Sequence, residues 1–200
     1  MQLLRYTAGI LTAGLLSFAS LTASAQTADT DRLPGRPTAE RIVKETSQAG
    51  EIAVAQAAAK ETAAASNGAL GEDIVKTALQ YLGTRYRAGQ SSPNGFDCSG
   101  FTSYVYKQED INLLRSSRAQ YTMGTPINDI GNLQKGDLVF FGGSRSSRTV
   151  GHVGIVTDVD PATNRFKFVH ASRTGVKVDD SDSQYYSRRY IGARRIISND

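Results

Sequence analysis

Two different spacings of apolar residues divide this chain. Between residues 70 and 124 they recur at helical intervals, and after about residue 135 they recur at every second position in short runs. In EDIVKTALQYLGTRY, residues 72–86, Ile74, Ala78, Tyr81 and Leu82 share one helical face. Glu72 and Asp73 then fall at the expected N-terminal end, where the helix dipole favours anions. RAGQSSPNGFD, residues 87–97, reads as a loop from its Gly, Ser and Pro-Asn-Gly content. CSGFTSYVYKQED follows as a helix with Asp97 as N-cap and Cys98 in its first turn, and SSRAQYTM is a short second helix closed by Gly124. The period then switches. GDLVFF, GHVGIVTDV, RFKFVHAS, GVKVDD and YIGARRII are rich in Val, Ile, Phe and Tyr, with DPATN, residues 160–164, as a turn. Helices followed by strands predict an α+β fold, with N-terminal helices packed on an antiparallel sheet of five to six strands.

The first third lacks such a pattern. Arg5, an apolar run from about Ala8 to Leu21 and the small residues Ala23-Ser24-Ala25 predict an export signal over 1–25, cleaved after Ala25. That run is short for a membrane span, and no cysteine at its end suits lipid attachment. Export is expected to place the mature chain in the periplasm or cell envelope, or outside the cell, with no membrane span. Residues 26–36 are polar and broken by Pro34 and Gly35, which suits a linker. Residues 37–67 are alanine-rich with no sustained apolar stripe, so a helix there has little to bury. The expectation for 26–68 is an Ala-rich linker or frayed helix, an arm available to a protein partner. A single domain is expected over 69–200.

Charge adds one feature. The chain carries 23 Lys and Arg against 19 Asp and Glu, a formal net charge of +4. Residues 1–68 hold six of each sign, so the basic excess belongs to the C-terminal part. A mild positive field suits an anionic polymer and equally suits a plain solvated surface.

Candidate chemistry centres on Cys98, the only cysteine. An unpaired cysteine in an exported chain reads as a reactive thiol, an intermolecular bridge or a small buried hydrophobe. Its place at a helix start favours the thiolate, and a nearby imidazolium would lower its pKa further. The two histidines, His152 and His170, both fall in predicted strands. His152 shares a face with Gly154 and Val156, and His170 shares one with Phe168 and Phe166. If these strands are hairpin neighbours through DPATN, both histidines lie on one face, side by side. The glycines at 151 and 154 keep their surroundings small, as close approach by a substrate requires. Alone, each histidine also reads as a structural residue. Cys98, His152 and His170 would suit zinc by type, but their spacing matches no close-paired ligand pattern, and no metal or other cofactor is expected.

FDCSGF, RSSRAQY, LQKGDLVFF, VGHVGIV and FVHAS follow one another in an order and spacing that resembles the NlpC family of bacterial cell-wall cysteine peptidases, over roughly residues 70–197. The resemblance implies a papain-like fold and a Cys-His-His triad. Cys98 would be the nucleophile, His152 the general base and acid, and His170 the polar group that orients His152. It also implies that Tyr86 assists near the oxyanion and that Asp97, Ser99, Arg115 and Ser117 line the substrate groove. The family's usual Leu-Pro-Arg is Leu113-Leu114-Arg115 here, which bears on loop rigidity. The implied activity is cleavage of peptidoglycan stem peptides, at the D-glutamyl–diaminopimelate bond, with no nucleic-acid partner. An amidase or acyltransferase of the same superfamily and a non-catalytic wall-binding protein are the alternatives.

Overall fold

The computed structural model describes residues 39–143 and 147–197, with side chains from residue 50 onward and at 48. The expected export signal (1–25) and Pro-Gly linker (26–36) lie outside the described residues. The chain divides into two units, residues 1–45 and 46–200, and of the first only the helical backbone of 39–45 is described. Among the described residues no helix is long and apolar enough to cross a membrane.

Helix α1 spans Ala39–Leu79 without a break. It joins the alanine-rich stretch to the predicted helix at 72, so Glu72 and Asp73 lie in its interior and not at its positive end. Alanine, glutamate and lysine carry little propensity penalty, so nothing in that stretch stops a helix that its C-terminal part anchors. The anchor is a short apolar stripe in which Ile74 and Ala78 are fully buried and Val75 nearly so. The helix ends at Leu79, so Tyr81 and Leu82 belong to the following turn, and Leu82 is exposed where the periodicity expected burial.

A two-stranded hairpin, β1 (Ser91–Ser92) and β2 (Gly95–Phe96), occupies the expected loop and leads into α2, Cys98–Lys107. α3 (Ser117–Gln120) follows, capped by the Ser116 side chain. Six strands then form one antiparallel sheet: β3 (Thr125–Ile127), β4 (Leu138–Gly142), β5 (Val150–Asp160), β6 (Arg165–Ser172), β7 (Gly175–Asp180) and β8 (Tyr190–Arg195). Their spatial order is β3-β8-β4-β5-β6-β7. β3 and the short α4 (Gln184–Ser187) are elements the periodicity did not predict.

Strand alternation divides the core in two. On one face Leu138, Phe140, Val153, Ile155, Val169 and Ala171 pack with Ile74, Phe96, Phe101 and Val105 from the helical side. On the other, Val139, Phe141, Val156, Phe166 and Phe168 pack with Tyr186 of α4. Both faces of the central strands are therefore covered, one by α1 and α2 and the other by the segment that carries α4.

Candidate active site

The start of α2 is fixed by a dense set of polar contacts. Asp97 is its N-cap and accepts from the Gly100 N–H at 2.7 Å, while its other oxygen accepts from the Gly89 N–H at 2.9 Å. Gly100 must be a glycine, because a Cβ there would meet the Gln90 carbonyl oxygen at 2.1 Å. The helix thus begins with its first turn pressed on the preceding hairpin, and Cys98 is its first residue. The Arg115 guanidinium donates to both Asp97 oxygens, at 3.0 and 2.6 Å, and to Ser99 Oγ at 3.1 Å. Burial pushes the Asp97 carboxyl up, but Arg115 and the two backbone N–H groups outweigh it and hold the group below the ordinary aspartate range.

Behind this lies a buried clamp. Gln120 Nε2 donates to the Ser99 carbonyl, Ser103 Oγ and the Leu114 carbonyl at 3.1, 2.9 and 2.9 Å, and Thr102 Oγ1 donates to its Oε1 at 2.8 Å. The loop through Leu113-Leu114-Arg115 is tied to α2 by a glutamine, whatever rigidity it loses with the proline.

His152 and His170 lie on the same sheet face, as strand alternation predicts. The pairing of Ile155 with Val169 sets them diagonally and not directly opposite. The imidazoles close that gap, with His152 Nε2 and His170 Nδ1 2.8 Å apart and the rings perpendicular. Gly154 makes this reach feasible. A Cβ there would meet Phe168 Cδ2 at 2.6 Å, the Val169 carbonyl at 3.0 Å and His170 Cβ at 3.2 Å. Its emptiness therefore accommodates Phe168 and His170, not a substrate as expected; Gly151 does line the cleft described below. His170 is fully buried, and its Nε2 lies 2.9 Å from Asp179 Oδ2 on β7. The same Asp179 oxygen accepts from Lys177 Nζ at 2.8 Å.

Cys98 and His152 open onto one cleft of about 330 Å³, lined also by Tyr86, Gly142, Gly143, Gly151, Arg173 and Tyr185. The thiol sits beside the Val153 N–H, which with the N–H groups of Ser99 and Cys98 favours its thiolate form. Burial and the Asp97 charge act more strongly the other way and push the thiol up. Burial and the adjacent His170 hold His152 down to about 3. Against the expectation of a low-pKa thiolate beside an imidazolium, burial favours the neutral form of each group, because the walls that position them also strip them of water.

The structure brings Cys98, His152, His170 and Tyr86 together. Asp97, Ser99, Arg115 and Ser117 are not on the cleft wall. Ser99 and Ser117 are buried, and the Arg115 fork, expected to meet substrate, is engaged by Asp97. Sequence reasoning missed Asp179, Lys177, Arg173, Tyr186 and Gln120. The signal for Asp179 is the register of the β6–β7 hairpin, which pairs Asp179 with Phe168 and Lys177 with His170. The charged stretch KVDD reads as a solvated strand end until that pairing is known.

Comparison with known proteins gives a consistent picture. The profile of the NlpC/P60 family matches residues 83–195. The chain is 36% identical over 127 residues to the murein DD-endopeptidase and murein LD-carboxypeptidase of Escherichia coli, covering 62% of each chain. It is 33% identical over 128 residues to a gamma-D-glutamyl-L-lysine dipeptidyl-peptidase of Bacillus cereus, covering 63% of this chain and 36% of that one. Neither relative is matched over more than about two thirds of its own length. A crystal structure of an NlpC/P60 family protein from Bacillus cereus superposes with a TM-score of 0.56 at 32% identity, over 64% of this chain and 40% of the other.

Proposed function

This chain belongs to the NlpC/P60 family, and from that premise we propose that it is an exported cysteine-type peptidase that hydrolyses stem peptides of peptidoglycan in the bacterial cell envelope. The observation that carries this reading is the opening onto one cleft of Cys98, at a helix N-terminus, and of His152, which is hydrogen-bonded to the buried His170. The names of the two relatives, both acting on murein or on a gamma-D-glutamyl peptide, supply the substrate class.

In this reading Cys98 is the nucleophile, His152 the general base and acid, and His170 the group that orients His152. His152 Nε2 is engaged by His170, which leaves Nδ1 to take the thiol proton as sulfur attacks the carbonyl carbon. Proton transfer accompanies attack, since burial favours the neutral form of both partners. The tetrahedral oxyanion collapses to an acyl-enzyme, and His152 returns the proton to the leaving amine. Water, deprotonated by the same nitrogen, then releases the acid and restores the thiol. Tyr86 stands on the cleft wall beside Cys98, where its hydroxyl can donate to the oxyanion. Burial and the nearby Cys98 and Asp97 push that hydroxyl up, so it stays protonated as this role requires.

The D-glutamyl–diaminopimelate bond is the first candidate for cleavage. The Escherichia coli relative gives the D,D cross-link as the second reading. Mass spectrometry of muropeptides after incubation with protein lacking residues 1–25 tests both. New termini at D-glutamate support the first, and loss of cross-linked dimers supports the second. An unchanged profile, or full turnover by Cys98→Ala, overturns the peptidase reading. Residues 26–68 are proposed as an arm separate from the hydrolase domain of 69–200, and their removal should leave cleavage of soluble muropeptides intact.

A further inference from the structure

Beyond the three residues of the proposed triad, the geometry points to Asp179 as a positioning residue that fixes which nitrogen carries the proton on both histidines. This inference rests on the reading of Cys98 and His152 as nucleophile and base. It concerns a relay that runs from Asp179 on β7 through His170 on β6 to His152 on β5, with links of 2.9 and 2.8 Å.

Donors and acceptors must alternate along that line. An ionised carboxylate only accepts hydrogen bonds. Burial acts to raise the Asp179 carboxyl, but Lys177 and His170 outweigh it and keep the group ionised. His170 Nε2, 2.9 Å from its oxygen, must therefore carry a hydrogen. His170 is fully buried and burial holds its imidazole neutral, so it has one N–H and its Nδ1 is a bare lone pair. The His152 nitrogen 2.8 Å away must then be the donor, which places the single hydrogen of neutral His152 on Nε2. Nδ1 is left with the lone pair that a general base needs.

The opposite arrangement fails at the base. If His170 carried its hydrogen on Nδ1, it would donate to His152 Nε2 and force the His152 hydrogen onto Nδ1, where it could accept nothing from the thiol. Its own Nε2 lone pair would then face the Asp179 carboxylate. Without Asp179 this wrong arrangement becomes favourable, because the Tyr186 hydroxyl lies 3.4 Å from the same Nε2 and can donate to it. Asp179 thus selects the working tautomer of a histidine it does not touch.

The conservative variant has an unusual expectation. His170 Nε2–H and Lys177 Nζ both converge on the same oxygen, Oδ2. An asparagine amide that places its own oxygen there satisfies both donors, so Asp179→Asn should keep the tautomer. Asp179→Ala removes the acceptor altogether.

The test has two arms. Nitrogen-15 NMR of imidazole-labelled protein, recorded on Cys98→Ala, should show both histidines protonated on Nε2, and Asp179→Ala in that background should lose this uniform state. In kinetics on a purified muropeptide, Asp179→Ala should lower kcat on the order of 10- to 100-fold with KM little changed, by the scale of groups that orient a reacting histidine, while Asp179→Asn retains most of kcat. A His152 hydrogen found on Nδ1, unchanged kcat in Asp179→Ala, or equal losses in Ala and Asn would overturn the inference. The NMR arm needs no turnover. Failure of the peptidase reading, seen as activity surviving in Cys98→Ala, is thereby distinguishable from failure of the relay.

Discussion

Arg115 is where expectation and geometry part most sharply, and it can be tested quantitatively. Its guanidinium makes two bonds to Asp97 and one to Ser99, and its side chain is 47% exposed against 14% for that of Asp97. An exposed ion pair contributes about 0 to 1 kcal/mol, and a charge-assisted bond to a sheltered carboxylate about 1.5 to 3. With one partner half in water, the lower range governs, raised by the two-pronged geometry. Arg115→Ala should therefore cost about 1 kcal/mol, or about 3 to 5 °C in melting midpoint for a domain of this size. Arg115→Lys keeps the charge but cannot fill both oxygens, and should cost about half as much.

The pH dependence of that deficit follows from Asp97. Its carboxyl is held below the ordinary aspartate range in the folded chain, so the stability it contributes is fully present above the unfolded value, near pH 4, and is lost as pH falls through the lower folded value. The gap between wild type and Arg115→Ala should accordingly be constant above about pH 5 and close at lower pH. Circular-dichroism melts from pH 7 to pH 3 measure this, alongside KM for a purified muropeptide. A large rise in KM for Arg115→Ala with an unchanged melting midpoint would refute the reasoning and return Arg115 to substrate recognition.

Alkylation of Cys98 by iodoacetamide should accelerate with pH up to a midpoint above the ordinary thiol value, because burial and Asp97 push the group up; a rate already on its plateau at mildly acidic pH would contradict that upward shift. His152→Ala should abolish turnover, whereas His170→Ala should lower it on the order of 10- to 10³-fold, and a larger loss at His170 would reverse the assigned roles. Gly154→Ala should cost about 1 to 3 kcal/mol through overpacking, since its Cβ would meet the Phe168 ring at 2.6 Å and His170 Cβ at 3.2 Å. A melt that leaves its midpoint unchanged would show that the strand moves freely there.

Much of this architecture was legible because local pattern and final environment agree. The N-cap at Asp97, the helix from Cys98 and five of the six sheet strands each carry their signal within a few residues. β3 was not legible, because Thr-Pro-Ile is too short for alternation and owes its conformation to the partner strand β8. The length of α1 was misread for the opposite reason. Periodicity reports burial, and residues 50–62 are exposed, yet a chain with strong helix propensity stays helical once one end is packed.

The site divides along the same line. Cys98 and His152 could be singled out because thiol and imidazole are scarce and their chemistry is specific. Asp179 could not, because a carboxylate in a polar strand end has many ordinary explanations, and only cross-strand register gives it a role. That register also accounts for the lowered imidazole of His152. A histidine pair offset diagonally needs a glycine opposite and aromatic rings around it, and Phe141, Phe168 and Tyr186 supply those rings. The same rings withdraw the pair from water, lower the imidazole of His152 and so weaken its pull on the thiol proton. A carboxylate at the far end of the relay answers this without entering the cleft, since it keeps the His152 hydrogen on Nε2 and leaves the Nδ1 lone pair free for that proton. Burial sets the geometry, and Asp179 sets which nitrogen of that buried pair is left to act as base.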